Sequence, residues 1–165
     1  MPTAETGAGS VLVVIPASNE EDCIAGVVDD VRNAGYPCLV VDDGSRDRTA
    51  AVAAASGAAV VRLPINLGVG GALRTGFRYG VDHDFDVVVQ VDADGQHVTE
   101  HIAHLLDALQ TTDADMVVGS RFLGHGDYPM PFVRRSTARL LATLIRTNGR
   151  ARISDPTSGF RAIRR

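Results

Sequence analysis

Two aspartates followed by a glutamine, Asp92, Asp94 and Gln96, are the clearest candidates for chemistry in this sequence. They come directly after residues 87–91, a valine-rich run that is typical of a buried strand. In an extended chain, residues i and i+2 point to the same side. Two carboxylates and an amide oxygen on one side suit a hard cation. The pattern therefore predicts a Mg²⁺ or Mn²⁺ site at these three residues.

Two other kinds of metal site fit the sequence less well. An EF-hand loop needs a glutamate at its twelfth position, and the twelfth residue counted from Asp92 is Ala103. His97, His101 and His104 have the spacing of one helix face, but no HExxH motif accompanies them. A polar helix face is the better interpretation of these histidines.

Asp42 and Asp43 form a second acidic pair, directly after the apolar residues 38–41. A carboxylate at a strand end can accept hydrogen bonds from ribose hydroxyls or from a base N–H. The same residues also suit an ordinary turn that leads into a helix, so both interpretations stay open. Glu20 lies near a predicted helix start, where its charge is favoured and where it suits a nucleoside better than a phosphate.

A glycine-rich loop contains Gly68, Gly70 and Gly71. It follows a predicted strand and opens a helix, as phosphate-binding loops do. It lacks the GK[ST] of a Walker loop, and its glycines do not fit GxGxxG. The loop therefore either lines a nucleotide pocket or packs a helix closely against a sheet.

These polar segments fall between predicted strands and helices that alternate along the chain. Apolar runs predict strands at residues 11–15, 38–41, 59–63, 87–91 and 116–118. Helical periodicity predicts helices between them, the first capped by Ser18 or Asn19 after Pro16 has ended the first strand. Such alternation favours a mostly parallel sheet covered on both faces, whose ligands bind at the carboxyl ends of the strands.

Composition indicates one globular domain. The chain has 165 residues, 45% of them hydrophobic, and no apolar run approaches the length of a membrane-spanning helix. Residues 1–10 lack the features of a signal peptide and are expected to be a disordered lead-in to a cytoplasmic protein. The two cysteines, Cys23 and Cys38, do not make a disulfide framework, and both are expected to be small core residues.

Charge is distributed unevenly along the chain. Residues 1–120 carry 18 acidic residues and 6 arginines, whereas residues 121–165 carry 2 acidic residues and 10 arginines. Residues 132–148 have an apolar face and arginines largely elsewhere, which fits either a helix lying on an anionic membrane or a core helix with a solvated basic face. Nucleic-acid binding is disfavoured, because aromatic residues make up only 5% and show no RNA-binding pattern.

Six segments, taken in their order and spacing, resemble the family 2 glycosyltransferases: IPASNE, VDDGSRDRT, NLGVGGALRTGF, VDADGQH, GSRF and DPTSGFRA. Within that family they are most similar to the dolichyl- or polyprenyl-phosphate mannosyl- and glucosyltransferases. The resemblance covers residues 11–165 and implies an α/β fold of the GT-A type, a Rossmann-like three-layer sandwich with a mostly parallel central sheet. Related chains continue past the SGFRA motif, so this domain is expected to lack the C-terminal part.

The resemblance also implies an activity: inverting transfer of a hexose from a nucleotide diphosphate sugar, of the GDP-mannose or UDP-glucose type, to a polyprenyl phosphate. A divalent cation, Mg²⁺ or Mn²⁺, would assist. The protein is then expected to be cytoplasmic with a peripheral position at the inner face of the cell membrane. Two alternatives stay open, namely transfer to a hydroxyl acceptor in polysaccharide or glycolipid synthesis, and a nucleotide-sugar-binding module without turnover.

Carried over residue by residue, the resemblance assigns a site. The nucleotide positions are Pro16, Ser18, Glu20, Asp42, Asp43, Asp92 and Ala93. The metal positions are Asp92, Asp94 and Gln96. Arg121 would act on the acceptor phosphate as a catalytic residue, and Ser158 and Arg161 would be further phosphate contacts.

This sequence departs from the family pattern at two positions. Ser18 stands where the family often has tyrosine, and Val69 where it often has lysine.

A hydroxyl acceptor needs a general base, and Asp155 is the candidate because it is the only acid after Asp127. Asp155 fits equally well as a cap of the turn at Pro156.

Overall fold

The structure is a computed structural model that describes residues 5–6, 9–94, 100–112, 114–119 and 158–165. Seven strands and four helices lie in these residues. In chain order they are β1 (Glu5–Thr6), β2 (Gly9–Ala17), α1 (Ile24–Asn33), β3 (Cys38–Asp42), α2 (Thr49–Ala55), β4 (Ala59–Arg62), α3 (Val69–Asp82), β5 (Val87–Gln90), α4 (Glu100–Thr111), β6 (Met116–Val118) and β7 (Arg161–Arg164).

The strands form one sheet with the order β4-β3-β2-β5-β7-β6, and the short β1 pairs with β2. β2 is parallel to β3 and to β5, and β3 is parallel to β4. β7 is the exception, because it runs antiparallel between β5 and β6. The expected α/β fold with a mostly parallel central sheet is confirmed.

The helices divide the core into two layers, one on each face of the sheet. Alternate residues of β2 and β5 pack with α1, α2 and α4, whose largest buried side chains include Ile24, Ile102 and Leu109. The intervening residues of the same strands, such as Leu12 and Val14, pack with Ala72 of α3. Strands buried on both faces read as continuous apolar runs, which is why residues 11–15 are all buried.

The strand order reverses direction between β2 and β5. From β2 the chain builds outward through β3 to β4, and it then crosses to the other side of β2 to form β5. In open α/β sheets a ligand crevice forms at such a reversal, outside the carboxyl ends of the strands. Here those ends are Ala17 of β2 and Gln90 of β5.

The predicted end of the first strand was wrong. β2 continues through Pro16 to Ala17, and Pro16 is in register with Val41 of β3. The carbonyl of Val14 accepts a hydrogen bond from the N–H of Val91, so the backbone polar groups of Val14 and Pro16 point toward β5. Pairing with β5 ends at Val14, and the N–H that proline lacks is therefore not needed there.

The predicted start of the first helix was also displaced. Neither Ser18 nor Asn19 caps α1, since the residue before the helix is Cys23 and it makes no side-chain cap bond. Asn19 adopts a left-handed conformation with φ 58°, and the carbonyl of Glu20 accepts bonds from the N–H groups of Cys23 and Ile24. The next helix, α2, begins at Thr49 and likewise has no side-chain cap bond.

The two cysteines differ in their surroundings. Cys38 is buried in the core, and burial raises the pKa of its thiol to about 11. The expectation of a core position was wrong for Cys23, which is exposed at the start of α1. The apolar face of α1 starts at Ile24, so Cys23 lies outside the helical pattern that turns side chains toward the sheet.

Part of the predicted lead-in is ordered into strands. Glu5 and Thr6 pair antiparallel with Ser10 and Gly9, so β2 begins before the apolar run does. In the described part of the chain, no helix combines the length and the hydrophobicity that a membrane crossing requires.

Candidate functional site

Polar residues of four segments meet at the carboxyl edge of the sheet. Ser18 follows β2, Asp43 follows β3, and Asp92 lies two residues beyond β5. Because β7 is antiparallel, the residues before it, beginning with Ser158, reach the same edge. The fold thus brings together sequence segments that are separated by up to 140 positions.

The loops after β2 and β3 are joined by reciprocal hydrogen bonds. The N–H of Asn19 donates to Ser45 Oγ at 2.9 Å, and the N–H of Arg46 donates back to Asn19 Oδ1 at 2.9 Å. The N–H of Glu20 donates to Thr49 Oγ1 at 2.8 Å, and Thr49 Oγ1 donates to Asp47 Oδ1 at 2.5 Å. The hydrogen bonds from Thr49 hold the pKa of Asp47 below its usual range. We call this set of bonds the interloop latch.

Asp42 is turned into the protein rather than toward solvent. Its side chain is fully buried, Oδ1 accepts the N–H of Ser45 at 2.9 Å, and Oδ2 lies 3.2 Å from Arg62 Nε. Arg62 also donates to the carbonyl of Ser45 at 2.9 Å. The geometry of the Asp42–Arg62 ion pair leaves Oδ2 without a hydrogen bond. Asp42 therefore organises the loop after β3, and its contact with a nucleotide stays a prediction.

Asp43 fastens the glycine-rich loop to the same edge. Its Oδ1 accepts the N–H of Leu67 at 2.7 Å, and its carbonyl accepts Asn66 Nδ2 at 3.1 Å. Asn66 Nδ2 also donates to Ser18 Oγ at 3.2 Å. A Cβ on Gly44, which has φ +69°, would lie 2.8 Å from the backbone of Ile65 and Asn66. Only glycine allows the two loops to cross so closely.

Asp92 and Asp94 flank a residue that packs into the core. Ala93 between them is 5% exposed and belongs to the core layer beside α4, while Asp92 is half-buried and Asp94 is exposed. Asp92 Oδ1 accepts Gln90 Nε2 at 3.4 Å, and the carboxylate packs against Gly159. Residues 93–94 form a turn rather than extended chain, so the shared direction of the two carboxylates stays a prediction, and any contact of Ala93 with a ligand would involve its backbone.

The turn before β7 supplies a buried hydroxyl, and the first residue of β7 is an arginine. Ser158 is 1% exposed, and its Oγ accepts the N–H of Phe160 at 3.2 Å. Arg161 Nη2 donates to the carbonyl of Ser158 at 2.6 Å, and Arg161 Nε is buried without a hydrogen-bond partner. An unpaired guanidinium N–H at a ligand edge can bind an anion.

Among the described residues, two of the three predicted metal ligands are present, and their donor atoms suit a hard divalent cation. In residues 9–94, 100–112, 114–119 and 158–165, no three His, Cys, Asp or Glu side chains cluster closely enough to hold a metal ion. Asp92 and Asp94 supply two carboxylates two residues apart, which are the donor type that Mg²⁺ and Mn²⁺ prefer. A donor diphosphate and water commonly complete such a site. Gln96, Arg121 and Asp155 lie outside the described residues.

Residues that sequence reasoning missed are Asn66, Arg62, Gln90 and Gly159. Gln90 carried a usable signal, because it is the one polar residue in the strand Val87–Gln90. Asn66 and Gly159 lie within the motif segments, but their contacts, like those of Arg62, are with residues remote in sequence, and no local pattern specifies them.

Two surface depressions lie at opposite edges of the sheet. One of about 390 Å³ is lined by Gly44, Ser45, Arg62, Leu63 and Pro64, beside the Asp42–Arg62 pair. A larger one of about 590 Å³ lies at the other edge, between Asp84, Asp86 and the end of β7. The candidate site is at the carboxyl edge, although the larger depression is at the other edge, because the strand ends and the carboxylates converge there.

The chain is similar in sequence to known glycosyltransferases. The sequence profile of "Glycosyl transferase family 2" matches residues 12–165. The polyprenol monophosphomannose synthase of Mycolicibacterium smegmatis is 36% identical over 163 residues, which cover 93% of this chain and 61% of that protein. The undecaprenyl-phosphate mannosyltransferase of Micrococcus luteus is 35% identical over 164 residues, covering 93% and 66%.

A solved structure gives the same result at the level of the fold. Glucosyl-3-phosphoglycerate synthase of Mycobacterium tuberculosis, in complex with Mn²⁺, UDP-glucose and phosphoglyceric acid, has a TM-score of 0.71 and 29% identity. The match covers 93% of this chain and 56% of that one. The chain thus spans about two thirds or less of the length of these relatives. With the profile matching nearly the whole chain and the predicted GT-A sheet in place, this protein belongs to glycosyltransferase family 2.

Proposed function

We propose that this chain binds a nucleotide diphosphate sugar and a divalent cation at the carboxyl edge of its sheet and transfers the hexose, with inversion, to a polyprenyl phosphate. The observation that carries the proposal is the position of Asp92 and Asp94, directly beyond β5 at the reversal of the strand order. The two mannosyltransferase relatives named for polyprenol and undecaprenyl phosphate support this acceptor class.

In this proposal the carboxylates of Asp92 and Asp94, with Gln96, hold the cation. A cation bound there would neutralise the diphosphate as it leaves the sugar carbon. Ser18, Glu20 and Asp43 face the nucleoside side, where Pro16, Asp42 and the backbone of Ala93 complete the pocket. The interloop latch keeps the β2 and β3 loops together, so the nucleoside side is preorganised before the donor binds.

Arginines bind the acceptor phosphate. Arg161 offers a buried, unpaired Nε at the start of β7, and Ser158 and Arg121 are assigned to the same phosphate. A phosphate monoester has a second pKa of about 6, so it is largely a dianion at neutral pH. Such an acceptor attacks without a strong general base, and the arginines orient it.

Calorimetric titration of GDP and of UDP into the protein, with Mn²⁺ and with EDTA, tests the donor site. We expect one nucleotide to bind in Mn²⁺, and we expect Asp94→Ala to abolish that metal-dependent binding because it removes one of two carboxylates. Asp29→Ala is the matched control, since Asp29 is an exposed aspartate on α1. Equal binding by the Asp94 variant and wild type would place the metal elsewhere. Absence of binding for both nucleotides would reject the donor site.

A second candidate is transfer to a hydroxyl acceptor, and the glucosyl-3-phosphoglycerate synthase structure favours it specifically. In that case Asp155 is the candidate general base. Incubation with labelled GDP-mannose or UDP-glucose, and with either undecaprenyl phosphate or 3-phosphoglycerate, separates the candidates. Label that moves into the organic phase supports the lipid acceptor, whereas label on phosphoglycerate that is lost in Asp155→Asn supports the hydroxyl acceptor. The lipid acceptor would place the protein at the inner face of the cell membrane.

A further inference from the structure

Asp92 lies beside two residues to which neither the proposed chemistry nor the family resemblance assigns a role. Gln90 is the last residue of β5 and is in register with Arg161 of β7. Extending that antiparallel register by two residues sets Asp92 opposite Gly159. The carboxylate therefore has Gln90 beside it on its own strand and Gly159 across from it on the neighbouring strand.

Gly159 leaves space that the Asp92 carboxylate fills. A Cβ added to Gly159 would fall inside van der Waals contact with both carboxylate oxygens and with Cγ of Asp92. Gly159 is not among the glycines with positive φ, so alanine would not strain its backbone. The cost of a side chain at position 159 is thus displacement of the Asp92 carboxylate, which is the end of a side chain that can move.

Gln90 is a polar residue in a place where an apolar one would stabilise the fold better. It is 2% exposed, its neighbours Val88 and Val89 are buried, and its Oε1 has no hydrogen-bond partner. An unpaired buried amide oxygen lowers the stability of the fold, which indicates that Gln90 has a role other than stabilising the core. Its Nε2 donates to Asp92 Oδ1 at 3.4 Å, which pulls that carboxylate toward one rotamer.

We propose that Gln90 and Gly159 are positioning residues that fix the direction of the Asp92 carboxylate and thereby set the affinity of the site for a divalent cation with its nucleotide. The cation part of this inference rests on the proposed function. Residues outside the ligand set that orient a metal-binding carboxylate commonly change metal affinity by about 10- to 100-fold when they are altered.

The test uses Gly159→Ala and Gln90→Met, which keep the backbone conformation and the side-chain volume, respectively. Their controls are Gly26→Ala, where a Cβ meets nothing within 4 Å, and Val88→Thr, two residues before Gln90 on the same face of β5. In titrations of GDP and UDP with Mn²⁺, we expect each test variant to bind about 10- to 100-fold more weakly than wild type. Binding in EDTA should be unchanged, and both controls should match wild type.

A second measurement needs no ligand. Three-bond couplings of the Asp92 β-protons report the χ1 rotamer, and we expect a single rotamer in wild type and averaging in both test variants. Wild-type affinity in both variants, or an Asp92 rotamer that neither variant changes, overturns the inference. If wild type shows no Mn²⁺-dependent nucleotide binding, the proposed function fails while the rotamer measurement still decides the positioning role. Should one test variant not fold, the other decides.

Discussion

Individual polar side chains at the carboxyl edge form hydrogen bonds between loops, in addition to any contact that they make with a ligand. Thr49 is fully buried, accepts the N–H of Glu20 and donates to Asp47. Ser45 and Asn19 make the other half of the interloop latch. The motif segments ASNE and DDGSRDRT are thus partners of each other, and substitutions in them will affect stability along with binding.

Replacing Thr49 with valine should destabilise the protein by about 1–3 kcal/mol. Valine keeps the shape but leaves the Glu20 N–H without its buried acceptor. Urea unfolding of the variant measures the change. Thr111→Val is the control, because Thr111 is exposed on α4 and its hydroxyl bonds only to carbonyls of its own helix. The control should change stability by no more than about 0.5 kcal/mol, and an equal loss in both variants would contradict the latch.

The same substitution has a signature in pH. The Thr49 hydroxyl lowers the pKa of Asp47 in the folded protein, so this bond adds stability above the ordinary aspartate pKa of about 3.9 and loses it as pH falls through the folded value. The difference in stability between wild type and Thr49→Val should therefore shrink below pH of about 4. A difference that is constant with pH would exclude a contribution from Asp47.

At the scale of the element, small residues on α3 set the distance between this helix and the sheet. Ala72, Gly76 and Gly80 recur every four residues and are the buried residues of the helix. A Cβ on Gly76 would overlap the side chain of Val14, and one on Gly80 would overlap Val88. Gly76 and Gly80 therefore allow α3 to pack closely against the sheet. This role is separate from any role of the glycine-rich loop before the helix.

Gly76→Ala should destabilise the protein by about 1–3 kcal/mol, although alanine favours helix formation, because the added methyl overpacks the contact with β2. Gly26→Ala on the exposed face of α1 should instead stabilise by about 0.5–1 kcal/mol, since its Cβ meets nothing within 4 Å. Thermal and urea unfolding of both variants give the comparison. A stabilised Gly76 variant would mean that α3 lies farther from the sheet than the structure has it.

At the scale of the whole molecule, the acidic body and the arginine-rich segment divide the chain. The structure describes most of residues 1–120, where arginines such as Arg48 and Arg78 pair with acids at the surface. Ten arginines follow in residues 121–165, most of them outside the described residues. We predict that this basic segment binds an anionic lipid surface, in keeping with the proposed lipid acceptor.

Replacing Arg134, Arg135 and Arg139 together with glutamine should weaken binding to phosphatidylglycerol vesicles about a hundredfold, given about 1 kcal/mol for each arginine near an anionic surface. Arg32, Arg74 and Arg78, replaced in the same way, control for the change in net charge. Vesicle sedimentation at two salt concentrations measures both triples. Equal loss in the two triples would show that net charge alone drives binding, and no loss in the first would remove the membrane contact.

The sequence by itself determined the order of strands β2 to β6 and of the helices between them, together with the polar segments that follow these strands. Apolar runs, helical periodicity and glycine stops are local signals, so residues 38–41 or 116–118 could be identified without a fold. The position of Asp92 and Asp94 just beyond β5 was accessible for the same reason, since the valine-rich run before them marks the strand.

Only the tertiary structure decided which of these segments touch. β7 was missed because its four residues include two arginines and carry no apolar run, and its place between β5 and β6 depends on pairing with residues more than 40 positions away. The burial of Asp42 against Arg62, the interloop latch and the fit of Gly159 to Asp92 have the same origin. Each is a contact between residues that are distant in sequence, and no local pattern specifies the register that brings such residues together.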